Sequence, residues 1–317
     1  MKNLKLLFIL LLVLQQLLVK AESIKFSFNK STIIAADSLD GATRLGENDG
    51  YANYFSLFDI QSKTDDISKT RKDDYYEHAR KQSLNWTQKE IADLKTAFAE
   101  VLDSLNKKGI VLNLPAKIYV IKSTLKEEYG ASGYTRGNNI VLNTASEGIN
   151  AHLVSHELFH VYSRHNPAKK DKLYSVFGFK KCNKIALNDA LDNLNITNPD
   201  CPEIAHYVSM GNEDVTLLLY SAKKYEGGNV FETYVRLGVL VLEGSGDNKK
   251  IKIQDGKAVI KTFEEVPELF QIIGMNTDYV LHPEEIAAEH FSMIATGTVP
   301  RQPELLAKYY SVLKAAD

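Results

Sequence analysis

Cysteine and net charge are both scarce in this chain, and each scarcity excludes a class of protein. Two cysteines among 317 residues, Cys182 and Cys201, exclude a disulfide-rich scaffold, and their spacing does not fit a zinc knuckle. The formal net charge of -2 gives no reason to expect nucleic acid or an anionic membrane as a partner. In an exported protein, the two cysteines are expected to form one disulfide.

The most hydrophobic stretch of the sequence is at its N-terminus. Leu6 to Val19 are apolar apart from two glutamines, and they follow Lys2 and Lys5. This pattern is typical of a cleaved signal peptide, whereas a membrane-spanning helix needs about 20 apolar residues. We therefore predict a signal peptide over residues 1–21, a secreted or periplasmic protein, and no stable membrane span after cleavage. An uncleaved membrane anchor is the alternative.

The rest of the sequence predicts an α+β fold. Residues 22–83 are expected to form an N-terminal lead-in segment, followed by one domain over 84–317. Within the lead-in, residues 22–65 are rich in Ser, Asp and Gly and are expected to be loosely structured, whereas residues 66–83 could form a charged helix. Alternating apolar and turn residues predict a β-rich insertion at about 205–262. The other predicted elements are a capped helix from Thr87, strands at 116–124 and 138–143 around a glycine-rich loop, and helices at 146–164, 266–273, 283–296 and 302–315.

The stretch SHELFHVYSRHNP, Ser155–Pro167, contains the pattern HELFH. His156 and His160 are four residues apart, so on a helix their imidazoles share one face and can bind one zinc ion. Glu157 is offset by about a third of a turn and can reach a water molecule without being a ligand itself. Zinc lowers the pKa of water and polarises a carbonyl group, which is the chemistry that peptide hydrolysis needs.

The alternative for HELFH is a packing helix whose two histidines have ordinary partners. Apolar residues occur on more than one side of the segment, so we expect a central, largely buried helix (Leu153, Val154, Leu158, Phe159, Val161 and Tyr162). Buried imidazole and carboxylate groups are costly without a partner, and a metal supplies one. We therefore predict one Zn2+ bound by His156 and His160.

A third ligand is needed, and the best candidate lies far downstream. Asn166 stands where metzincins place a third His, and no Glu occurs between Arg164 and Pro202. Glu285 and Glu289, in YVLHPEEIAAEHFSMI, are four residues apart and share a helix face. We predict that Glu285 completes the zinc site and that Glu289 accepts the second N–H of a ligating histidine.

Two other interpretations of the third ligand stay open. Acidic residues in the first turn of a helix suit the helix dipole, and Pro283 marks such a first turn, so Glu285 could have only that role. Asp171 follows His160 by eleven residues and stands near the position of the Asp ligand in aspzincins, although the Gly-Thr-x-Asp pattern is missing.

HELFH together with a distant ExxAE resembles the gluzincins, the thermolysin-like zinc peptidases, in which a second helix supplies a Glu ligand and an acid four residues later. The sequence departs from that group because Glu284 replaces the usual Asn, Glu289 replaces the usual Asp, and 285 − 160 = 125 residues separate the two motifs. Residues 50–317 are also similar to exported bacterial HExxH proteins of uncharacterised activity, through YTRGNNIVLN, NITNPDCP and HPEEIAAEHF.

The resemblance implies a zincin-like exported zinc metallopeptidase that hydrolyses peptide or protein substrates. Glu157 would act as the general base, and NNIVLN, which precedes the metal helix, would be the edge strand that pairs with the substrate. Five side chains are eligible to stabilise the oxyanion: Tyr207, Tyr220, Tyr234, Tyr279 and His282. The alternatives are a zinc-bearing envelope binding protein without peptidase activity and a metal-free interaction module.

Overall fold

The structure, a computed structural model, describes residues 23–145, 148–187 and 189–315, so the predicted signal peptide lies outside the described residues. The α+β fold class is confirmed. Among the described residues, none of the helices combines the length and the apolar character that a membrane span requires. The described α-helices are α1 (Ser38–Leu45), α2 (Leu57–Thr64), α3 (Lys72–Arg80), α4 (Gln88–Lys107), α5 (Ala151–His165), α6 (Pro167–Ser175), α7 (Val230–Thr233), α8 (Glu268–Ile273), α9 (Pro283–Thr296) and α10 (Pro303–Lys314).

The described strands form two larger sheets and one short hairpin. They are β1 (Ile24–Phe28), β2 (Ser31–Ala35), β3 (Ser83–Leu84), β4 (Lys117–Ser123), β5 (Gly133–Arg136), β6 (Asn139–Leu142), β7 (Lys180–Lys181), β8 (His206–Met210), β9 (Glu213–Ser221), β10 (Val235–Glu243), β11 (Lys250–Ile251), β12 (Ile253–Gln254), β13 (Lys257–Ala258) and β14 (Ile260–Lys261).

The first sheet has the strand order β1-β2-β4-β6-β5, and β3 pairs with β4 beside this path. The strands β2, β4 and β6 are parallel, with Ile33 opposite Ile118 and Val120 opposite Ile140. The outer strands β1 and β5 are antiparallel to their neighbours. Since β5 pairs on one side only, it is an edge strand, and α5 contacts it directly.

The N-terminal segment differs from the loose structure expected for residues 22–65, whereas the helix expected within 66–83 is α3. β1 and β2 form a hairpin through Asn29, whose φ of 51° suits a tight turn, and they extend the first sheet. Phe28 and Ile33 are buried in the main core. The alternation in these strands is too short to stand out in the sequence, because pairing within the sheet rather than local periodicity stabilises them.

Residues 205–262 contribute most of the second sheet, which has the order β11-β10-β9-β8-β7 with β14 paired to β10. Apolar side chains of β9 and β10 pack on both faces of this sheet. One face joins the main core through Val215, Leu217, Val239 and Val241, and the other joins a smaller cluster through Leu218, Leu240 and Leu242. Burial on both faces explains why these strands have nearly continuous apolar sequences.

The main core brings together the two helices that carry the candidate site. Leu158 and Phe159 of α5 are fully buried, and the ring of Phe159 lies 5.7 Å from that of Phe291 in α9. α4 contacts both helices. The close packing of α5 against α9 therefore sets the distance between side chains that are far apart in the sequence.

A buried ion pair fixes α2 to the segment that leads into β5. Lys63 and Glu128 are both buried and pair with each other. The same carboxylate accepts hydrogen bonds from the hydroxyl groups of Tyr51 at 3.1 Å and Tyr75 at 2.8 Å. Removal of one partner of such a pair typically costs about 3–5 kcal/mol, so this contact holds the N-terminal segment against the edge strand.

Glu127, beside this pair, is expected to make the protein less stable as the pH rises. Burial raises the pKa of Glu127 from 4.5 to about 7. Between these values only the unfolded chain loses the proton, so the free energy of unfolding falls by about 3 kcal/mol. Glu127→Gln should make the decline between pH 5 and pH 8, measured by urea unfolding, smaller by about this amount. The exposed control Glu304→Gln should retain it; equal declines in both variants would contradict the assignment.

Candidate metal centre

The helix α5 presents the two histidines of HELFH on one face. Asn150 caps its N-terminus by accepting a hydrogen bond from the third residue of the helix at 2.9 Å, and the helix stops before Pro167, as predicted. Its start is five residues later than the predicted position 146. The rings of His156 and His160 lie with their centroids 4.8 Å apart, as i and i+4 residues should.

The helix α9 supplies the acidic side chains. Pro283 is its first residue, and Nδ1 of the preceding His282 accepts a hydrogen bond from the N–H of Glu284 at 3.0 Å. Glu284 and Glu285 are only 2% and 1% exposed. A helix N-terminus favours negative charge, which partly offsets the unfavourable burial of two adjacent carboxylates.

The three predicted ligands meet at the contact between α5 and α9. Nε2 of His156 lies 3.1 Å from Oε2 of Glu285, and Nε2 of His160 lies 3.6 Å from the same oxygen. The potential ligand atoms of the three residues all lie within 4.8 Å of one another. Ligands bound to one zinc ion at about 2.0–2.3 Å are separated by distances of this order.

The donor set fits a metal ion because one nitrogen in it has no other partner. His160 is fully buried, and its Nε2 forms no hydrogen bond within the described structure. Its Nδ1 lies 2.9 Å from Oε1 of Glu284, which orients the ring and leaves Nε2 directed towards Glu285. A buried polar atom without a partner is costly, and a cation at this position would satisfy it.

Each histidine has a carboxylate within hydrogen-bond distance of its Nδ1 atom, but only one of the two carboxylates, that of Glu289, was suggested by the sequence. Oε1 of Glu289, the acid that the sequence suggested for this position, lies 3.0 Å from Nδ1 of His156. Oε1 of Glu284 lies in the same way near Nδ1 of His160, and the carboxylate accepts hydrogen bonds from the hydroxyl groups of Ser163 and Tyr174. The sequence contained a signal for this role, because Glu284 directly precedes the predicted ligand in the chain.

Glu157 lies beside the ligands and is held by the edge strand. The hydroxyl of Thr135 donates to Oε2 of Glu157 at 2.7 Å. A Cβ atom at Gly133 would lie 2.7 Å from Oε1, so only glycine allows the strand to approach this carboxylate so closely. Burial and the nearby carboxylate of Asp200 raise the pKa of Glu157 to about 7, in the range of a general base that works near neutral pH.

Asp200 is a site residue that the sequence analysis did not identify. Its Oδ1 lies 3.8 Å from Nε2 of His160, and it forms a second cluster with His160 and Glu157. Asn198, two residues earlier, donates to Oε1 of Glu285 at 2.6 Å. The stretch NITNPDCP had been noted only as a resemblance, and its position against the two helices depends on contacts distant in sequence.

The candidate centre contains more acidic side chains than basic ones. Burial and repulsion by Glu285 raise the pKa of Asp200 well above its usual range. Although burial opposes ionisation of Glu285, attraction to His160 and His156 lowers its pKa to about 2. Burial also disfavours the charged form of His156, yet hydrogen bonds with Glu285 and Glu289 hold its pKa well above the usual value. Several carboxylates thus compete for few positive charges, a balance that a divalent cation would relieve.

Other candidates from the sequence lie elsewhere. Asp171 pairs with Lys181 at 2.7 Å and with Nε2 of His206 at 3.0 Å, so it does not join the three ligands. Cys182 and Cys201, between which a disulfide was predicted, are both free thiols in this structure. Cys201 Sγ lies 3.9 Å from Oε1 of Glu285, whereas Cys182 packs in the cluster beside the second sheet.

A cleft of about 610 Å³ opens at the candidate centre. His156, Glu157 and Asp200 line it together with Gly133, and Tyr279 is the member of the five eligible oxyanion residues that borders it. The prediction that NNIVLN forms the edge strand was wrong, because β6 lies between β4 and β5. The glycine-rich segment read as a loop contains the edge strand β5, since its pairing with β6 outweighs its turn-like composition.

Comparison with known proteins adds no relative. No protein-family model matches the chain, and neither the curated proteins nor the solved structures contain a match to it. The functional conclusion therefore depends on the geometry of the site.

Proposed function

We propose that the protein is an exported zinc-dependent peptidase with a zincin-like domain. The observation that carries this proposal is the convergence of His156, His160 and Glu285, with the buried Nε2 of His160 left without a partner. Glu157 lies in the adjacent position on the same helix, and an edge strand borders the cleft. The predicted signal peptide supports export to the periplasm or the medium.

One Zn2+ ion held by His156, His160 and Glu285 would polarise the peptide carbonyl and lower the pKa of water. Glu157 accepts a proton from the attacking water, whose oxygen forms a bond with the carbonyl carbon. The C–N bond of the peptide then breaks, and Glu157 transfers the proton to the leaving nitrogen. Thr135 holds Glu157 in place through its hydrogen bond of 2.7 Å.

The carboxylates that pair with Nδ1 of the two histidines determine how well the Nε2 atoms can bind a metal. With Nε2 facing the metal position, Nδ1–H of His156 donates to Glu289 and Nδ1–H of His160 donates to Glu284. These bonds select one tautomer for each ring and increase its basicity. The same arrangement on both ligands supports a site built for a metal rather than a chance meeting of acids and histidines.

Metal analysis of protein purified without added metal tests this function. We expect one zinc per chain, and we expect a chelator to abolish hydrolysis of a mixed peptide library and lower the melting temperature. Zinc at about 1,000 times its dissociation constant stabilises a fold by about 4 kcal/mol, so its addition should restore both. Protein that contains zinc but cleaves no peptide would favour an envelope binding protein, and protein without zinc would favour a metal-free interaction module.

A further inference from the structure

The edge strand beside the candidate centre offers only a short length of free backbone. An extended peptide adds to a sheet through N–H and C=O groups that point outward from the edge. The hairpin of β5 and β6 pairs Arg136 with Asn139 across a two-residue turn, so Gly133 and Thr135 point their backbone groups outward. These two residues are therefore the candidates for pairing with a substrate.

Thr135 already has intramolecular partners. Its N–H donates to Oδ1 of Asp200 at 2.6 Å, and its C=O accepts from Nη2 of Arg164 at 2.7 Å. Asp200 and Arg164 thus take the place of a neighbouring strand at this position. Within the described residues, no hydrogen bond occupies the outward groups of Gly133, which lines the cleft. A substrate can pair with Gly133 but cannot continue past Thr135.

The segment that brings Asp200 to the edge strand is firmly anchored. The N–H and hydroxyl groups of Thr197 both donate to the carboxylate of Asp59, at 3.0 and 2.7 Å, and Asp59 is fully buried. Asn198 donates to Glu285 at 2.6 Å. Because these partners are themselves buried, residues 195–202 form a fixed wall at one end of the cleft rather than a flap that a longer substrate would displace.

We propose that the site is an aminopeptidase: a peptide pairs with Gly133, and its free amino terminus lies against the carboxylate of Asp200. This inference rests on the proposed zinc peptidase function and adds the substrate class. Water adds to the carbonyl carbon of the first or second residue, the following C–N bond breaks, and the shortened peptide leaves with the proton on its new amino group.

The charge at the wall selects the amino end rather than the carboxyl end of a substrate. Asp200 and Glu157 face the cleft with carboxyl groups, whose oxygens accept hydrogen bonds from an α-ammonium group and, when ionised, attract it and repel an α-carboxylate. The nearest cations offset this charge only in part. Nη2 of Arg164 lies 4.0 Å from Oδ1 of Asp200 and also donates to backbone carbonyl groups of the wall, so one arginine faces two carboxyl groups, and Lys63 is paired with Glu128.

Three peptides of one sequence test the inference on the zinc-loaded wild-type protein: one with free ends, one N-acetylated and one C-amidated. Mass spectrometry should show loss of residues from the amino end of the free and amidated peptides. N-acetylation, which removes the ammonium group, should lower kcat/KM by at least about 30-fold. Amidation should change it by less than about 3-fold, since the carboxyl end lies away from the wall.

Three results would overturn a part of this account, and they are distinguishable. Internal cleavage of the N-acetylated peptide at an undiminished rate would make the protein an endopeptidase. Loss of cleavage on amidation, with products from the carboxyl end, would make it a carboxypeptidase. Failure to cleave any of the peptides, or a mixed library, with zinc bound would reject the proposed peptidase function itself.

Asp200→Asn provides a readout that does not depend on turnover. In the zinc-loaded Glu157→Gln background, calorimetry should show at least about 10-fold weaker binding of the free peptide after this change, and unchanged binding of the N-acetylated peptide. Asp103→Asn, at an exposed position of α4, is the matched control and should change neither. Equal weakening for both peptides would mean that Asp200 only shapes the wall, which would refute the ammonium contact.

Discussion

Glu157→Gln is expected to lower kcat for peptide hydrolysis by at least about 10²-fold while zinc stays bound. The amide has nearly the same shape as the carboxylate and can still accept the hydrogen bond from Thr135, but it cannot take a proton from water. The ligands His156, His160 and Glu285 are unchanged, so metal content should stay at one zinc per chain. Steady-state kinetics and elemental analysis on the same preparation measure both quantities.

The matched control for this variant is Glu304→Gln, which makes the same chemical change at an exposed position of α10. It should hydrolyse the test peptide at the wild-type rate. Undiminished hydrolysis by Glu157→Gln would show that another group activates water, and the second cluster of the site, with Asp200 next to His160, would become the candidate. A simultaneous loss of zinc would instead make Glu157 a ligand rather than a base.

Glu285→Ala is expected to abolish stoichiometric zinc binding and, with it, all hydrolysis. Glu285 provides the oxygen that lies near Nε2 of both His156 and His160, so its removal leaves two ligands. The change also leaves Asn198 without its acceptor at 2.6 Å and opens a small cavity. Zinc content after dialysis against a weak chelator should fall from one per chain to a trace.

A folding defect could imitate this loss, so Glu285→Gln is the second variant. It preserves the side-chain volume and can still accept from Asn198, but an amide oxygen is a much poorer ligand for zinc than a carboxylate. Circular dichroism should show a folded protein with zinc affinity reduced by at least about 10-fold, whereas Glu304→Ala should retain full affinity. Stoichiometric zinc in the folded Gln variant would mean that Asp200 or another acid is the third ligand.

Short-range geometry was predictable from the residue spacing. The i, i+4 positions of His156 and His160 place both rings on one face wherever the segment is helical, and Pro167 marks the end of that helix, although its start was predicted five residues too early. The same reasoning predicted the separation of Glu285 from Glu289 along α9. The pairing of Glu289 with His156 required a further assumption, namely that the two helices pack together.

Features that depend on contacts between segments distant in the sequence could not be predicted from residue spacing. The strand at Gly133 looked like a loop because Gly133 and the two glycines on either side of it, Gly130 and Gly137, disfavour a strand. Its hairpin with β6 and its contact with α5 stabilise it. The first hairpin was missed for a related reason, since it is stabilised by sheet pairing. The fold class needed no such detail, because alternating helical and strand periods suffice for it.

The amino-acid order settled the chemical character of the candidate centre: two imidazoles at helical spacing, a carboxylate beside them, and a second helix with acids one turn apart. Packing of the core determined which acid lies beside each imidazole, because burial of Phe159 against Phe291 aligns α5 with α9. The tertiary structure also places Asp200 next to the edge strand. The physical reason is the range of the forces, because helix geometry acts over a few residues, whereas close packing of a core joins residues at any separation along the chain.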